Sequence, residues 1–88
     1  MKYVLFYETS DDVIAKAPVH YEAHVSRGHE FHDRGALLMY GPFGNPQEGA
    51  MAVFTSENAA QEFAEGDPFV LNGVVCNWFV REWDEAFV

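Results

Sequence analysis

The sequence is short of positive charge. It has five lysines and arginines against 14 aspartates and glutamates, which gives a formal net charge of −9. A surface with this charge repels a phosphate backbone, and no stripe of basic residues offsets the repulsion. The composition therefore argues against nucleic-acid binding. The simplest role of the acidic surface is solubility, and electrostatic steering of a partner is the alternative.

Cysteines and long apolar runs are also scarce. The single cysteine, Cys76, excludes an internal disulfide framework and is typical of a reducing cytoplasm. No apolar run approaches the roughly 20 residues that a membrane-spanning helix needs. The first segment, MKYVLFYETS, has the pattern of a strand and not of a signal peptide. We therefore predict a cytoplasmic protein with no membrane partner.

Apolar residues, by contrast, are plentiful for so short a chain. The 88 residues are enough for a single domain, residues 1–88. Hydrophobic residues make up 49% of the sequence and aromatic residues 16%. A soluble protein of this size uses such a surplus to line a ligand pocket or to contact a partner subunit.

Hydrophobic periodicity predicts the element order β-α-β-β-α-β. Pro18 is a suitable first-turn residue, so we expect the first helix from about Val19 to Arg34, after a turn-like segment. Ser56 is a suitable N-cap for a second helix that ends near Glu65, and a turn or single helical turn follows at Asp67-Pro68. The predicted strands are Lys2–Tyr7, Ala36–Tyr40, Ala50–Thr55 and Val74–Trp83.

This order is typical of an α+β, ferredoxin-like fold with a four-stranded antiparallel sheet and two helices on one face. The last strand carries large apolar groups on both of its alternating rows, with Trp78 in one and Phe79 in the other. Two helices cover only one face of the sheet. Pairing of two sheets face to face would cover the other, so we expect a homodimer of the dimeric α/β-barrel type.

Four segments together resemble the YCII-related family of small dimeric α/β-barrel proteins. They are His24 with His32-Asp33-Arg34-Gly35-Ala36-Leu37-Leu38, Gly41-Pro42, Asp67-Pro68-Phe69-Val70 with Asn72-Gly73, and Trp78-Phe79-Val80-Arg81-Glu82-Trp83. The resemblance extends from the first strand to Trp83. It implies an active-site pair of a helix histidine and the aspartate of the Asp-Pro motif, which correspond to His24 and Asp67.

The resemblance also bears on activity. Some relatives belong to aromatic degradation pathways, one branch resembles dehydrochlorinases, which eliminate HCl, and most members have no assigned reaction. Relatives often carry an arginine about one helical turn before the histidine, where this chain has His20 and Tyr21. The resemblance therefore does not extend to an anion clamp at that position.

The chemistry of the pair follows from its side chains. An imidazole both takes and gives a proton near neutral pH, and a carboxylate beside it fixes its tautomer and favours its charged form. Both helices of this fold lie on the same side of the sheet, so His24 and Asp67 can approach each other. The alternatives are a packed helix residue for His24 and an N-cap or Asx-turn for Asp67, and the latter is compatible with a catalytic role.

Candidate substrate-binding residues are Tyr21, Gly41, Pro42 and Phe69. The Gly41-Pro42 segment either forms a pocket rim or is a simple turn. Several other aromatic residues could line a pocket or, as we favour, the domain or dimer core; they are Tyr40, Trp78, Phe79 and Trp83.

Metal and cofactor sites are not predicted. His20, His24 and His32 recur at multiples of four, but Gly28 interrupts the row and no second cluster supplies further ligands. No glycine-rich phosphate motif is present. Cys76 lies in an apolar strand and is expected to be an inert packing group.

Three functions remain open at this point. The first is a cofactor-independent enzyme that uses His24 and Asp67 for proton abstraction, elimination or isomerisation on a small organic substrate, with aromatic-derived compounds among the candidates. The second is a non-catalytic dimer that binds a small ligand or acts as an accessory protein. The third is a purely structural interaction module.

Overall fold

The strands and helices of the protein follow the predicted order in a computed structural model, which describes all 88 residues. The elements are β1 (Lys2–Thr9), α1 (Val13–Asp33), β2 (Leu37–Pro42), β3 (Ala50–Phe54), α2 (Glu57–Gly66), α3 (Pro68–Leu71) and β4 (Val75–Trp83). The sheet is antiparallel throughout, in the order β2-β3-β1-β4. The predicted α+β, ferredoxin-like fold is confirmed.

The start of α1 differs from the prediction. The helix begins at Val13, so the expected turn-like segment up to Lys16 and the start near Pro18 are wrong. Val13 is buried, which anchors an additional turn and a half of helix. Pro18 lacks the N–H that would bond to the carbonyl of Ile14. Both residues lie on the exposed side of the helix, where the missing bond is least costly.

The core lies between the helices and one face of the sheet. Phe31 of α1, Phe54 of β3 and Phe63 of α2 meet there, with ring centroids 5.2 to 6.4 Å apart. All three are almost fully buried, and burial of one such side chain stabilises a fold by about 1.5–3 kcal/mol. This cluster fixes α1 and α2 side by side and therefore sets where their ends lie.

The other face of the sheet, here called the open face, has no helix over it. Its apolar residues are Val4, Phe6, Met39, Met51, Val53, Phe79 and Trp83. Phe6 stacks on Phe79 with a centroid separation of 5.2 Å. Met39 and Trp83 are 65% and 48% exposed, which is high for such large apolar side chains. No helix of the protein is both long and apolar enough to cross a bilayer.

Candidate functional site

A buried carboxylate lies at the centre of the site. Asp67 ends α2 and caps α3, and its Oδ1 accepts a hydrogen bond from the backbone N–H of Phe69 at 3.0 Å. The hydroxyl of Tyr7 donates to its Oδ2 at 2.6 Å. Asp67 has no solvent exposure, so these donors replace the water that a carboxylate loses on burial.

The third donor to Asp67 is His24. Its Nδ1 lies 2.8 Å from Oδ1 and 3.0 Å from Oδ2. Because an ionised carboxylate only accepts, Nδ1 carries the proton, and in the neutral ring Nε2 is left with its lone pair free. The imidazole stacks face to face on Phe69, with centroids 3.8 Å apart and planes inclined by 2°. The orientation of the ring is thus fixed by the hydrogen bond to Asp67 and by stacking on Phe69.

Beside His24, a cavity of about 390 Å³ opens between α1, α3 and the sheet. His24 is part of its wall, and no protein group hydrogen-bonds to Nε2, so that nitrogen is available to a bound molecule. Four predicted substrate-binding residues also belong to the wall; they are Tyr21, Gly41, Pro42 and Phe69. Asp67 lies behind His24 and does not line the cavity. The structure thus brings the six predicted site residues together, with Asp67 one layer below the surface.

Sequence reasoning missed Tyr7. It is the last buried residue of β1 and is 7% exposed. Burial, followed by the charge and hydrogen bond of Asp67, raises the pKa of its hydroxyl far above the usual value. The group therefore remains a proton donor to Asp67. A signal was present in the sequence, because a hydroxyl in a buried row of a strand needs a partner.

Arg27 was also missed. Its Nε donates to the carbonyl of Phe63 at 3.0 Å and its Nη2 donates to that of Glu62 at 2.7 Å, both in the last part of α2. Cations at a helix C-terminus satisfy its free carbonyls and interact favourably with its dipole. A Cβ on Gly66 would lie 2.5 Å from Nη2, so glycine leaves room for the guanidinium. Arg27 and His24 are three residues apart and lie on the same face of α1. Arg27 bonds to the backbone that precedes Asp67, and His24 bonds to the Asp67 carboxylate itself.

Tyr40 completes the aromatic part of the wall. Its ring meets the imidazole of His24 edge-on at a centroid distance of 5.5 Å. Burial raises the pKa of Tyr40, and the neighbouring Tyr21 and Asp67 raise it further. A Cβ on Gly28 would lie 3.3 Å from the Tyr40 hydroxyl, so the glycine permits the ring to lie close to α1. Of the aromatic residues expected in a core, Trp78 does pack against it, whereas Phe79 and Trp83 lie on the open face.

Comparison with known proteins identifies the family of this chain. The profile of the YCII-related domain matches residues 1–84. The chain belongs to the YCII-related family. Two curated relatives, both named Protein YciI, come from Escherichia coli O6:H1 and Shigella flexneri. Each is 31% identical to this chain over 98 aligned positions, which cover 99% of this chain and 100% of the relative.

A solved structure resembles this YCII-related chain along nearly all of its length. It is 5-chloro-2-hydroxyhydroquinone dehydrochlorinase from Burkholderia phenoliruptrix AC1100, in complex with 2,5-dihydroxybenzoquinone. The TM-score is 0.79, with 98% of this chain and 96% of the other covered. The two sequences are 17% identical, so the likeness shows a shared fold.

One prediction about an individual side chain of this YCII-related protein is wrong. Cys76 is exposed, so the expectation of a packed thiol is wrong. The reason is a bulge in β4: Glu8 pairs with Asn77 and Thr9 with Val75, which leaves Cys76 as the extra residue. The other helix histidines do not converge, and no three His, Cys, Asp or Glu side chains form a group that could hold a metal ion.

Proposed function

We propose that this protein catalyses cofactor-independent acid–base chemistry, of the elimination or isomerisation type, on a small organic substrate in the cavity. The observation that carries the proposal is that the two imidazole nitrogens of His24 have different surroundings. Nδ1 of His24 is held by buried Asp67, and Nε2 lines the cavity without a protein partner. A general base needs this arrangement of a fixed ring and a free lone pair.

The proposed step begins with transfer of a substrate proton to Nε2 of His24. Asp67 stabilises the imidazolium that forms, because the charge develops 2.8 Å from its Oδ1. In an elimination, the electron pair of the broken C–H bond forms the new double bond. The leaving group departs with the electron pair of the bond that joined it to carbon. In an isomerisation, the imidazolium returns the proton to another atom of the substrate. Both outcomes use the same two side chains.

The aromatic wall supports a ring-shaped substrate. Phe69 already stacks on the imidazole, and the Tyr40 hydroxyl makes no hydrogen bond within the protein, so it can donate to a substrate oxygen. Tyr21, Gly41 and Pro42 form other parts of the same wall and are proposed to contact the substrate. The related fold of a dehydrochlorinase adds support for elimination from a ring.

The open face supports a homodimer. Exposed apolar side chains such as Met39, Phe79 and Trp83 are grouped on one side of the sheet. An isologous pairing of two such faces would cover both groups at once. The proposed location is the reducing cytoplasm, in keeping with the unpaired Cys76.

The alternative is a dimer that binds a small ligand without changing it. Thirteen of the 19 residues in the cavity wall are hydrophobic, which suits retention of an apolar ligand as well as catalysis. The two functions differ in whether His24 moves a proton, so the experiment must report proton movement directly.

The test is hydrogen exchange by NMR in D₂O, with a panel of cyclic ketones and halogenated ring compounds that carry an acidic C–H. We expect wild-type protein to accelerate exchange or loss of the leaving group and His24→Gln to abolish the effect. His20→Gln is the matched control, since His20 lies on the same helix and outside the cavity wall. Equal rates for wild type and His24→Gln would contradict the enzyme and favour the binding protein.

A further inference from the structure

The cavity wall contains no cationic side chain. Its ionisable members are His24 and three tyrosines, Tyr7, Tyr21 and Tyr40, and most of the remaining residues are apolar. An anionic ligand group placed in such a wall would lose its water without gaining a counter-charge. This loss is costly for a carboxylate, and a phosphate carries even more charge.

The five basic side chains are engaged elsewhere. Lys2 pairs with Glu85 at 2.7 Å, and Lys16 lies 3.7 Å from Asp12. Arg34 approaches Glu62 at 3.4 Å. The remaining two are Arg27, which bonds to the α2 carbonyls, and Arg81, which lies over Phe79 on the open face.

The His24–Asp67 pair does not supply the missing charge. With Asp67 ionised, the pair carries one negative charge when the imidazole is neutral and no net charge when it is protonated. The whole chain, Asp67 included, has a formal charge of −9, which repels anions before they reach the cavity. Local and long-range electrostatics therefore act in the same direction.

Polar contacts for an uncharged molecule are present. Nε2 of His24 and the Tyr40 hydroxyl have no partner within the protein. In the neutral ring Nε2 can accept a hydrogen bond from a ligand hydroxyl, and the Tyr40 hydroxyl can donate to a hydroxyl or carbonyl oxygen. We propose that the cavity selects uncharged, ring-sized ligands with hydroxyl or carbonyl groups and excludes carboxylates and phosphates. This inference names the substrate class of the proposed acid–base site and rests on that site being the functional one.

The test uses two probes of nearly identical shape, 4-hydroxybenzamide and 4-hydroxybenzoate, titrated into the intact protein and followed by NMR shifts of His24 and Phe69. We expect the amide to bind at least about tenfold more tightly than the carboxylate. The preference should persist in about 0.5 M NaCl, since salt screens long-range repulsion and leaves the local loss of hydration unchanged. Equal or tighter binding of the carboxylate, or no binding of the amide, would overturn the proposal. So would a preference that disappears in salt.

A gain-of-charge variant provides the matched comparison. Ala17 lies in the cavity wall on α1, ahead of Tyr21 and His24. Ala17→Lys should improve binding of the carboxylate relative to the amide, whereas Ala17→Met, with a neutral side chain of similar length, should not. If both variants behave alike, charge does not govern selection and the proposal is wrong.

The two proposals fail separately, because binding is measured without turnover. An amide preference without any proton exchange would contradict the enzyme and leave the ligand class standing. Proton exchange by a protein that prefers the carboxylate would leave the enzyme standing and overturn the ligand class.

Discussion

The hydroxyl of Tyr7 donates to Oδ2 of Asp67 across 2.6 Å and joins residues that are 60 positions apart in the chain. The bond connects the central strand β1 to the junction of α2 and α3. Tyr7 contacts neither the free nitrogen of His24 nor any group beyond Asp67 through its hydroxyl. The effect of the hydroxyl on the proposed chemistry therefore passes through the carboxylate, which it positions, while Tyr7 also forms part of the cavity wall.

Replacement of Tyr7 by phenylalanine should destabilise the protein and loosen the imidazole. Loss of a buried hydrogen bond to a charged group costs about 1.5–3 kcal/mol in the free energy of unfolding, measured by urea denaturation. The ¹⁵N shifts of His24 should also show a less uniform tautomer. Tyr3→Phe is the control, since the Tyr3 hydroxyl makes no hydrogen bond. Similar losses of unfolding free energy in both variants would mean that the hydrogen bond to Asp67 does not stabilise the protein.

Alkaline pH should destabilise the protein through Tyr7. The pKa of Tyr7 is raised in the folded state relative to 10.0, so the folded chain retains a proton that the unfolded chain releases. The resulting stability is fully present below about pH 10 and declines as pH rises above that value. Phenolate absorbance should show one tyrosine that titrates only on unfolding. In Tyr7→Phe this late step should disappear and the slope of stability against pH should become shallower, with the remainder due to Tyr40, whose pKa is also raised. A persistent late step would assign it to another tyrosine.

Arg27→Met should displace Asp67 without removing it. The variant keeps an apolar stem against Phe31 and Phe63 but loses the bonds to the carbonyls of Glu62 and Phe63. We expect a loss of about 1–3 kcal/mol in unfolding free energy and a changed His24 tautomer signal. Gly66→Ala should change the His24 signal in the same direction with a smaller loss of stability, because the methyl group displaces the guanidinium while alanine is favoured over glycine in a helix. Loss of stability with an unchanged His24 signal would limit Arg27 to a structural role.

Gly28→Ala should affect the stability of the protein and the binding of a ligand in different ways. Alanine is favoured over glycine inside a helix by up to about 1 kcal/mol. The new methyl group would, however, lie 3.3 Å from the Tyr40 hydroxyl and push the ring outward. We expect weaker binding of 4-hydroxybenzamide together with little net change in stability. In a Tyr40→Ala background, Gly28→Ala should stabilise the protein by the whole helix preference of alanine over glycine. An equal change in stability in both backgrounds would show that Tyr40 does not contact this position.

The sequence predicts the element order and the fold because periodicity, caps and turns are local properties. It also predicts that His24 and Asp67 can meet, since the topology brings both helices to one side of the sheet. Tyr7 and Arg27 were missed for a common reason: their partners are a distant carboxylate and two backbone carbonyls, which leave no spacing pattern. The start of α1 was missed because tertiary burial of Val13 outweighs the local preference for proline in a first turn. The bulge at Cys76 depends on how β4 pairs with β1, which strand periodicity does not specify.

The shared duties of Asp67 have an evolutionary consequence. This side chain caps α3, accepts from Tyr7 and orients His24, so selection for folding alone is sufficient to retain it. Nε2 of His24 carries no structural bond, so only selection for activity protects that atom. A random library selected for folded protein should therefore keep Asp67 and accept at position 24 other side chains that donate to it, whereas lineages under metabolic selection should keep both residues.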